Sequence, residues 1–169
     1  MESLEAQYTS LVEAVDSLQD AIALHEEILK EKYDYDLQFS LSDDDPIAHT
    51  HDLKRVSRLE RLIKATRDSV IQRFEYSIDQ LCKHLKNYME KEGTANPELQ
   101  SPRGIIRLAG KIKLLSEQET ETALEMIDSR NRTSHLYREE VAQIVADAAQ
   151  IYYQLIRTIL TKIKPMTKV

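Results

Sequence analysis

A chain of 169 residues, 41% hydrophobic and 31% charged, fits one folded domain with a core of its own. Its net charge of −6 excludes wholesale electrostatic wrapping of nucleic acid while leaving room for a local basic patch, and the single Cys82 excludes an intramolecular disulfide or a cysteine-pair zinc site. Three glycines, none before Gly93, and four prolines are too few turn formers for a sheet built of hairpins, so an all-α fold is expected.

The acidic start at Met1-Glu2-Ser3 lacks the basic and apolar regions of a signal peptide. No apolar run approaches the roughly 20 residues that span a bilayer. A cytoplasmic protein without membrane contact is expected. Over 2–33, Leu4, Tyr8, Leu11, Val15, Leu18, Ile22 and Leu29 recur at steps of four and three, with His25 in the remaining slot. That is the buried stripe of a helix in an antiparallel bundle, widened by Val12, Ala21 and Ile28 toward a second neighbour. His25 on such a stripe reads as a partly buried, hydrogen-bonded histidine rather than a catalytic group.

From Asp34 to Asp52 the helical period fails. Tyr33, Tyr35, Leu37, Phe39 and Leu41 alternate with polar residues, and Asp43-Asp44-Asp45-Pro46 follows. A lone strand has no partner, so the spacing predicts a helix end and an acidic loop over about 34–52, an insertion within a single domain spanning 1–169. His49, His51 and the aspartates lack zinc-like spacing, and no metal site is read from them. A second long helix is predicted over 53–92 from Val56, Leu59, Ile63, Val70, Phe74, Ile78, Leu81, Leu85 and Tyr88. The weak stretch at 64–68 suggests a kink, and Gly93 a C-terminal stop.

Ser101-Pro102 reads as an N-cap with proline at the first helical position of a short helix ending at Gly110. Ser116 and Glu119 form a capping box for the next helix, which carries Ala123, Leu124 and Ile127. A last helix begins near Glu139 and runs through Val141, Ile144, Val145, Ala148, Ile151, Tyr152, Leu155 and Ile159 to Pro165.

Between these two helices lies the densest run of reactive side chains, Ser129-Arg130-Asn131-Arg132-Thr133-Ser134-His135-Leu136-Tyr137. An arginine clamps phosphate and a histidine moves protons near neutral pH. Together they suffice for RNA transesterification, with the ribose 2′-hydroxyl as nucleophile and no metal or other cofactor. On an uninterrupted helix, five residues turn about 500°, so Arg130 and His135 diverge by about 140°. They converge only if the chain bends between them, which Asn131, Thr133 and Ser134 favour, or if two copies meet across a two-fold axis. On residue types alone the run is equally a capped helix junction with a polar patch, and Tyr137 an ordinary packing tyrosine.

Arg130-Asn131-Arg132-Thr133-Ser134-His135-Leu136-Tyr137 resembles the HEPN-domain signature: arginine, a polar residue, three more, histidine, one residue, tyrosine. Ile71-Gln72-Arg73-Phe74-Glu75-Tyr76 leading to Leu81-Cys82-Lys83-His84-Leu85-Lys86, and Ser101-Pro102-Arg103, resemble further stretches of the same family in the same order. The trio, spanning about 67–163, is similar to the nucleotidyltransferase substrate-binding proteins, the HepT-like partners of minimal nucleotidyltransferases. The resemblance implies an up-and-down helical bundle that dimerises, with two signatures facing one cleft. It implies a ribonuclease toxin acting on tRNA or mRNA. In it, Arg130 binds the scissile phosphate, His135 is general acid or base, and Asn131 orients one of them. The partner nucleotidyltransferase is then an antitoxin that transfers AMP to Tyr137, adding phosphate charge beside Arg130 and His135. The alternative is a non-catalytic subunit that presents a substrate to that enzyme. Arg103, Arg107, Lys111, Lys113, Arg132 and Arg138 are the basic residues available to rim the cleft.

Overall fold

The computed structural model describes residues 3–39, 46–94, 97–135 and 139–165, and for 39, 46–52, 134 and 135 it describes the backbone alone. Every regular element in it is helical: α1 Leu4–Phe39, α2 Pro46–Lys91, a single 3-10 turn Pro97–Gln100, α3 Pro102–Lys111, α4 Glu117–His135 and α5 Glu139–Lys162. The all-α expectation holds. Helices α1, α2, α4 and α5 alternate in direction as an up-and-down bundle, and the short α3 packs across α4 and the 3-10 turn. The directions follow from side-chain pairs. Arg73 meets Ser17 while Arg55 meets Glu31, and Lys162 meets Glu119 while Tyr152 meets Ser129.

One continuous core joins all the helices. Leu11, Val15 and Leu18 of α1 meet Phe74, Ile78, Leu81 and Leu85 of α2, Met126 and Ile127 of α4, and Ile156 and Ile159 of α5. Tyr152 stacks on Phe74 with ring centroids 5.3 Å apart. Burying such side chains is the main stabilising term, at roughly 1.5–3 kcal/mol each.

Two features differ from the sequence-based expectation. First, the acidic loop expected over 34–52 is helix at both ends, with α1 continuing to Phe39 and α2 starting at Pro46. The aromatic alternation hid a helical register. Tyr35 is buried on the stripe that continues from His25, under the Arg55 guanidinium at 4.9 Å, and Lys32 grips Asp36 one turn on. Pro46 occupies the first helical position, where its missing N–H costs nothing. Residues 40–45, which include Asp43, Asp44 and Asp45, lie outside the described residues. Second, α2 is unbroken through 64–68. Thr66 is buried there, and its hydroxyl is satisfied by the Leu62 carbonyl at 2.9 Å and His25 Nδ1 at 2.8 Å. Because that hydroxyl donates to Leu62, His25 donates through Nδ1, as expected of a hydrogen-bonded histidine on the stripe.

The expected helix ends are present. Gly93, at φ +85°, closes α2 with Thr94 N–H on the Met89 carbonyl and its own N–H on Glu90, a Schellman arrangement. Ser101 Oγ accepts from Gly104 N–H, with Pro102 at the first position of α3. Ser116 and Glu119 exchange both bonds of the capping box.

Beyond the level of the His25–Thr66 bond, α1 and α2 go on as a two-helix arm. Among the described side chains, its only buried members are Tyr35 and Leu59.

Candidate functional site

Helix α4 runs without interruption through Arg130, Asn131 and His135. The bend expected between Arg130 and His135 therefore does not occur. Asn131, Thr133 and Ser134 stay helical because tertiary partners override their local preferences. Thr133 is buried against the Glu75 carboxylate of α2, its hydroxyl also reaching the Arg130 carbonyl at 2.9 Å. Ser129 is buried with its hydroxyl 3.0 Å from the Tyr152 hydroxyl and accepts from Arg132 Nη2 at 3.1 Å. The Cα atoms of Arg130 and His135 thus lie about 140° apart around one helix axis.

Arg130 is half-buried and crosses from α4 to α2, where Nη2 lies 3.0 Å from Oδ1 of Asp79. Its Nε–H is buried without a hydrogen-bond partner among the described residues. One edge of the guanidinium is thus held by a carboxylate, while another donor is unsatisfied. Two residues before Arg130 on α4, Asp128 pairs with Arg103 of α3. The three stretches that carried the resemblance therefore meet in space. Asp79, in the α2 segment between its two quoted pieces, holds Arg130, and Arg103 of the Ser-Pro-Arg stretch grips α4 two residues before it. Asn131 is partly exposed beside Arg130. The side chain of His135 and the whole of Tyr137, the expected AMP acceptor, lie outside the described residues.

The basic residues expected at the cleft rim divide into groups. Arg107, Lys111 and Lys113 line a groove of about 750 Å³ with Leu115, Thr120 and Lys162, at the start of α4. That is the far end of the helix from the signature, about 20 Å away by helical rise. Lys111 pairs there with Glu98, and Lys162 with Glu119, whose carboxyl is held below the usual range by that lysine and by the Ser116 N–H. Arg132 is exposed on the signature itself, and Arg138 lies outside the described residues.

Sequence reasoning missed Asp79, Glu75 and Arg67. Arg67 is buried on α2, and its Nη2 reaches Glu139 in the first turn of α5 at 3.2 Å, fixing where the chain re-enters the bundle after the signature. No local spacing announces partners 51 to 72 residues away, as for Arg130 with Asp79 and Arg67 with Glu139. Among the described residues, no helix is long and apolar enough to cross a membrane.

A crystal structure of a protein from Thermus thermophilus is similar at 30% identity and a TM-score of 0.54, over 88% of this chain and 99% of that one. No curated protein matches the chain. The model of the family described as nucleotidyltransferase substrate binding protein like matches residues 6–165, and the chain belongs to that family.

Proposed function

We propose that the protein is a HEPN ribonuclease toxin of a toxin–antitoxin pair, active as a homodimer in the cytoplasm and silenced by AMP transfer to Tyr137. The observation that carries this reading is the state of Arg130. It is positioned by Asp79 near the end of α4, with a buried donor that has no partner among the described residues, five residues before the signature histidine on the same helix. Two copies meeting through this end of α4 bring the Arg130 of one beside the His135 of the other, the arrangement a single continuous helix cannot make.

In the reaction, a base removes the proton of the ribose 2′-hydroxyl and that oxygen attacks phosphorus. The bond to the 5′-oxygen breaks, and that oxygen takes a proton from the acid, leaving a 2′,3′-cyclic phosphate. His135 serves as acid or base, Arg130 neutralises the charge building on the phosphoryl oxygens, and Asn131 orients one of them. The step needs no metal or other cofactor. The partner is a minimal nucleotidyltransferase acting as antitoxin. The Tyr137 phenol attacks the α-phosphorus of ATP, pyrophosphate leaves, and the added charge and bulk block RNA access.

The second reading, a non-catalytic subunit presenting a substrate to the nucleotidyltransferase, has the net charge of −6 on its side. Expression without the partner separates the two. Wild type is expected to inhibit growth and cleave tRNA or mRNA in the presence of chelator, and His135→Ala to do neither. A harmless wild type that leaves RNA intact removes the toxin reading, and cleavage abolished by chelator removes the metal-independent one. Intact mass after co-expression with the nucleotidyltransferase is expected to rise by whole AMP units in wild type and not in Tyr137→Phe.

A further inference from the structure

The two-helix arm carries an uncompensated basic stripe. Lys54, Arg58 and Arg61 of α2 stand at i, i+4 and i+7, within about 60° of one another around the helix, and Lys64 extends the row by another turn. All four are exposed, and none forms an ion pair with a described residue. Arg55, by contrast, is taken by Glu31 at 3.6 Å on the side of α2 that faces α1. Among the described residues, the acidic neighbours are Glu60 and Asp68, one turn to either side of Lys64, and Asp68 lies 3.9 Å from Arg67. In a chain of net charge −6, four adjacent cations on one face, none paired with a described residue, form a local field of opposite sign.

The direction of the row relates it to the signature. Eighteen residues are about five helical turns, so on the unbroken α2 Arg58 lies in line with Tyr76 and Arg61 with Asp79, the carboxylate that holds Arg130. The stripe is thus on the side of α2 that faces α4. Thr133 stands level with Glu75, and Arg130 level with Asp79, so α4 runs antiparallel and its C-terminus points along α2 toward the stripe. Counting from Glu75, Lys64 is about 16 Å further along α2 and Lys54 about 31 Å.

We infer that the arm is an RNA-backbone binding surface: Lys54, Arg58, Arg61 and Lys64 take successive phosphates of a strand whose scissile bond lies at the end of α4. This rests on the ribonuclease reading for the identity of the polyanion, but it makes a separate claim about where the strand lies. Cations in a row bind phosphates rather than bases, so the contact they make is independent of sequence and sensitive to salt.

The test uses a fluorescein-labelled single-stranded RNA and the full chain. Binding is followed by anisotropy over a range of salt, for wild type, for His135→Ala, and for a variant in which Lys54, Arg58, Arg61 and Lys64 are all glutamine. The four sites are exposed, so the variant is expected to melt as wild type does. His135→Ala supplies a reference in which the RNA is not cleaved during the titration. The glutamine variant is expected to bind roughly tenfold or more weakly at moderate salt, with the slope of log affinity against log salt reduced by up to about 3. RNA binding that depends on the stripe, in a protein that cleaves nothing, supports the surface and removes the nuclease. Unchanged binding and cleavage in the glutamine variant overturns the surface and leaves the nuclease standing. Loss of nucleotidyltransferase capture with RNA binding intact assigns the stripe to the protein partner and overturns the inference. Absence of any RNA binding by wild type overturns it outright.

Discussion

The Arg130 guanidinium and the Asp79 carboxylate face each other across the α4–α2 interface, Nη2 lying 3.0 Å from Oδ1 and 3.1 Å from Oδ2. Asp79 is 53% exposed, so the pair sits in a wet, screened setting and contributes less than about 1 kcal/mol to stability. Its larger effect is on what Arg130 can bind. On the proposed function, a phosphate reaching Arg130 has to displace the carboxylate, and the carboxylate repels it. Asp79→Asn keeps the shape and removes the charge. It is expected to strengthen RNA binding several-fold with little change in melting temperature, whereas Arg130→Ala weakens binding. Affinity that falls in Asp79→Asn, by anisotropy, shows instead that Asp79 orients Arg130 for use.

Gly104 is fixed by close approach. A Cβ there stands 2.0 Å from the backbone oxygen of Glu98 and 2.9 Å from Ser101 Oγ, the atom that caps α3. The obstacle is backbone, which cannot swing aside as a side chain does. Gly104→Ala therefore pushes α3 off the 3-10 turn, loosening the seat of Arg103 against α4. It is expected to cost about 1–3 kcal/mol in denaturant unfolding. Stability unchanged in that variant shows that the 3-10 turn yields.

The helices and most of their caps were legible because each is written locally. Ser101-Pro102, the Ser116–Glu119 box and Gly93 carry their chemistry within a few residues. The last turns of α1 and the first of α2 were not legible, because tyrosine and leucine at alternate positions mimic a strand, and only the burial of Tyr35 reveals the register of α1. Polar residues misled in the same way. Thr66 and Thr133 looked like breaks, and each is held in helix by a partner on another helix, His25 or Glu75. The signature itself was readable, while the residue that positions its arginine was not, since Asp79 is 51 residues away.

Cys82 lies beside the Arg130–Asp79 pair yet is excluded from its chemistry. Burial first, then the Asp79 charge, pushes its thiol up to about 12 against a smaller opposing pull from Arg130. A thiol held neutral and out of solvent is a poor nucleophile. The native protein at pH 8 is expected to leave a thiol-reactive dye unspent, with one equivalent consumed on unfolding in guanidinium. Rapid native labelling contradicts this burial.

Two buried histidines set the acid limit of the fold. Both titrate below the usual imidazole range. At His25 the cause is burial, followed by the Arg67 charge, which together outweigh Asp147 and Glu26. At His84 burial outweighs the hydrogen bond to the Ile163 carbonyl. The sign follows from linkage. Unfolded histidine takes a proton near pH 6.5, and the folded groups take theirs only at lower pH, so below about 6.5 the unfolded chain binds more protons than the native one. The stability these residues supply is therefore complete above pH 6.5 and is lost as pH falls through the folded values. His25 Nε2 and His84 Nδ1 have no hydrogen-bond partner among the described residues, so none of these holds a second proton. The melting temperature is expected to fall steadily from pH 7 to 5, above the range where carboxylates titrate. It is expected to fall less steeply in His25→Gln and in His84→Gln, each compared with its own value at pH 7.5. A wild-type melting temperature that stays flat over that window contradicts the neutral, buried state of both rings.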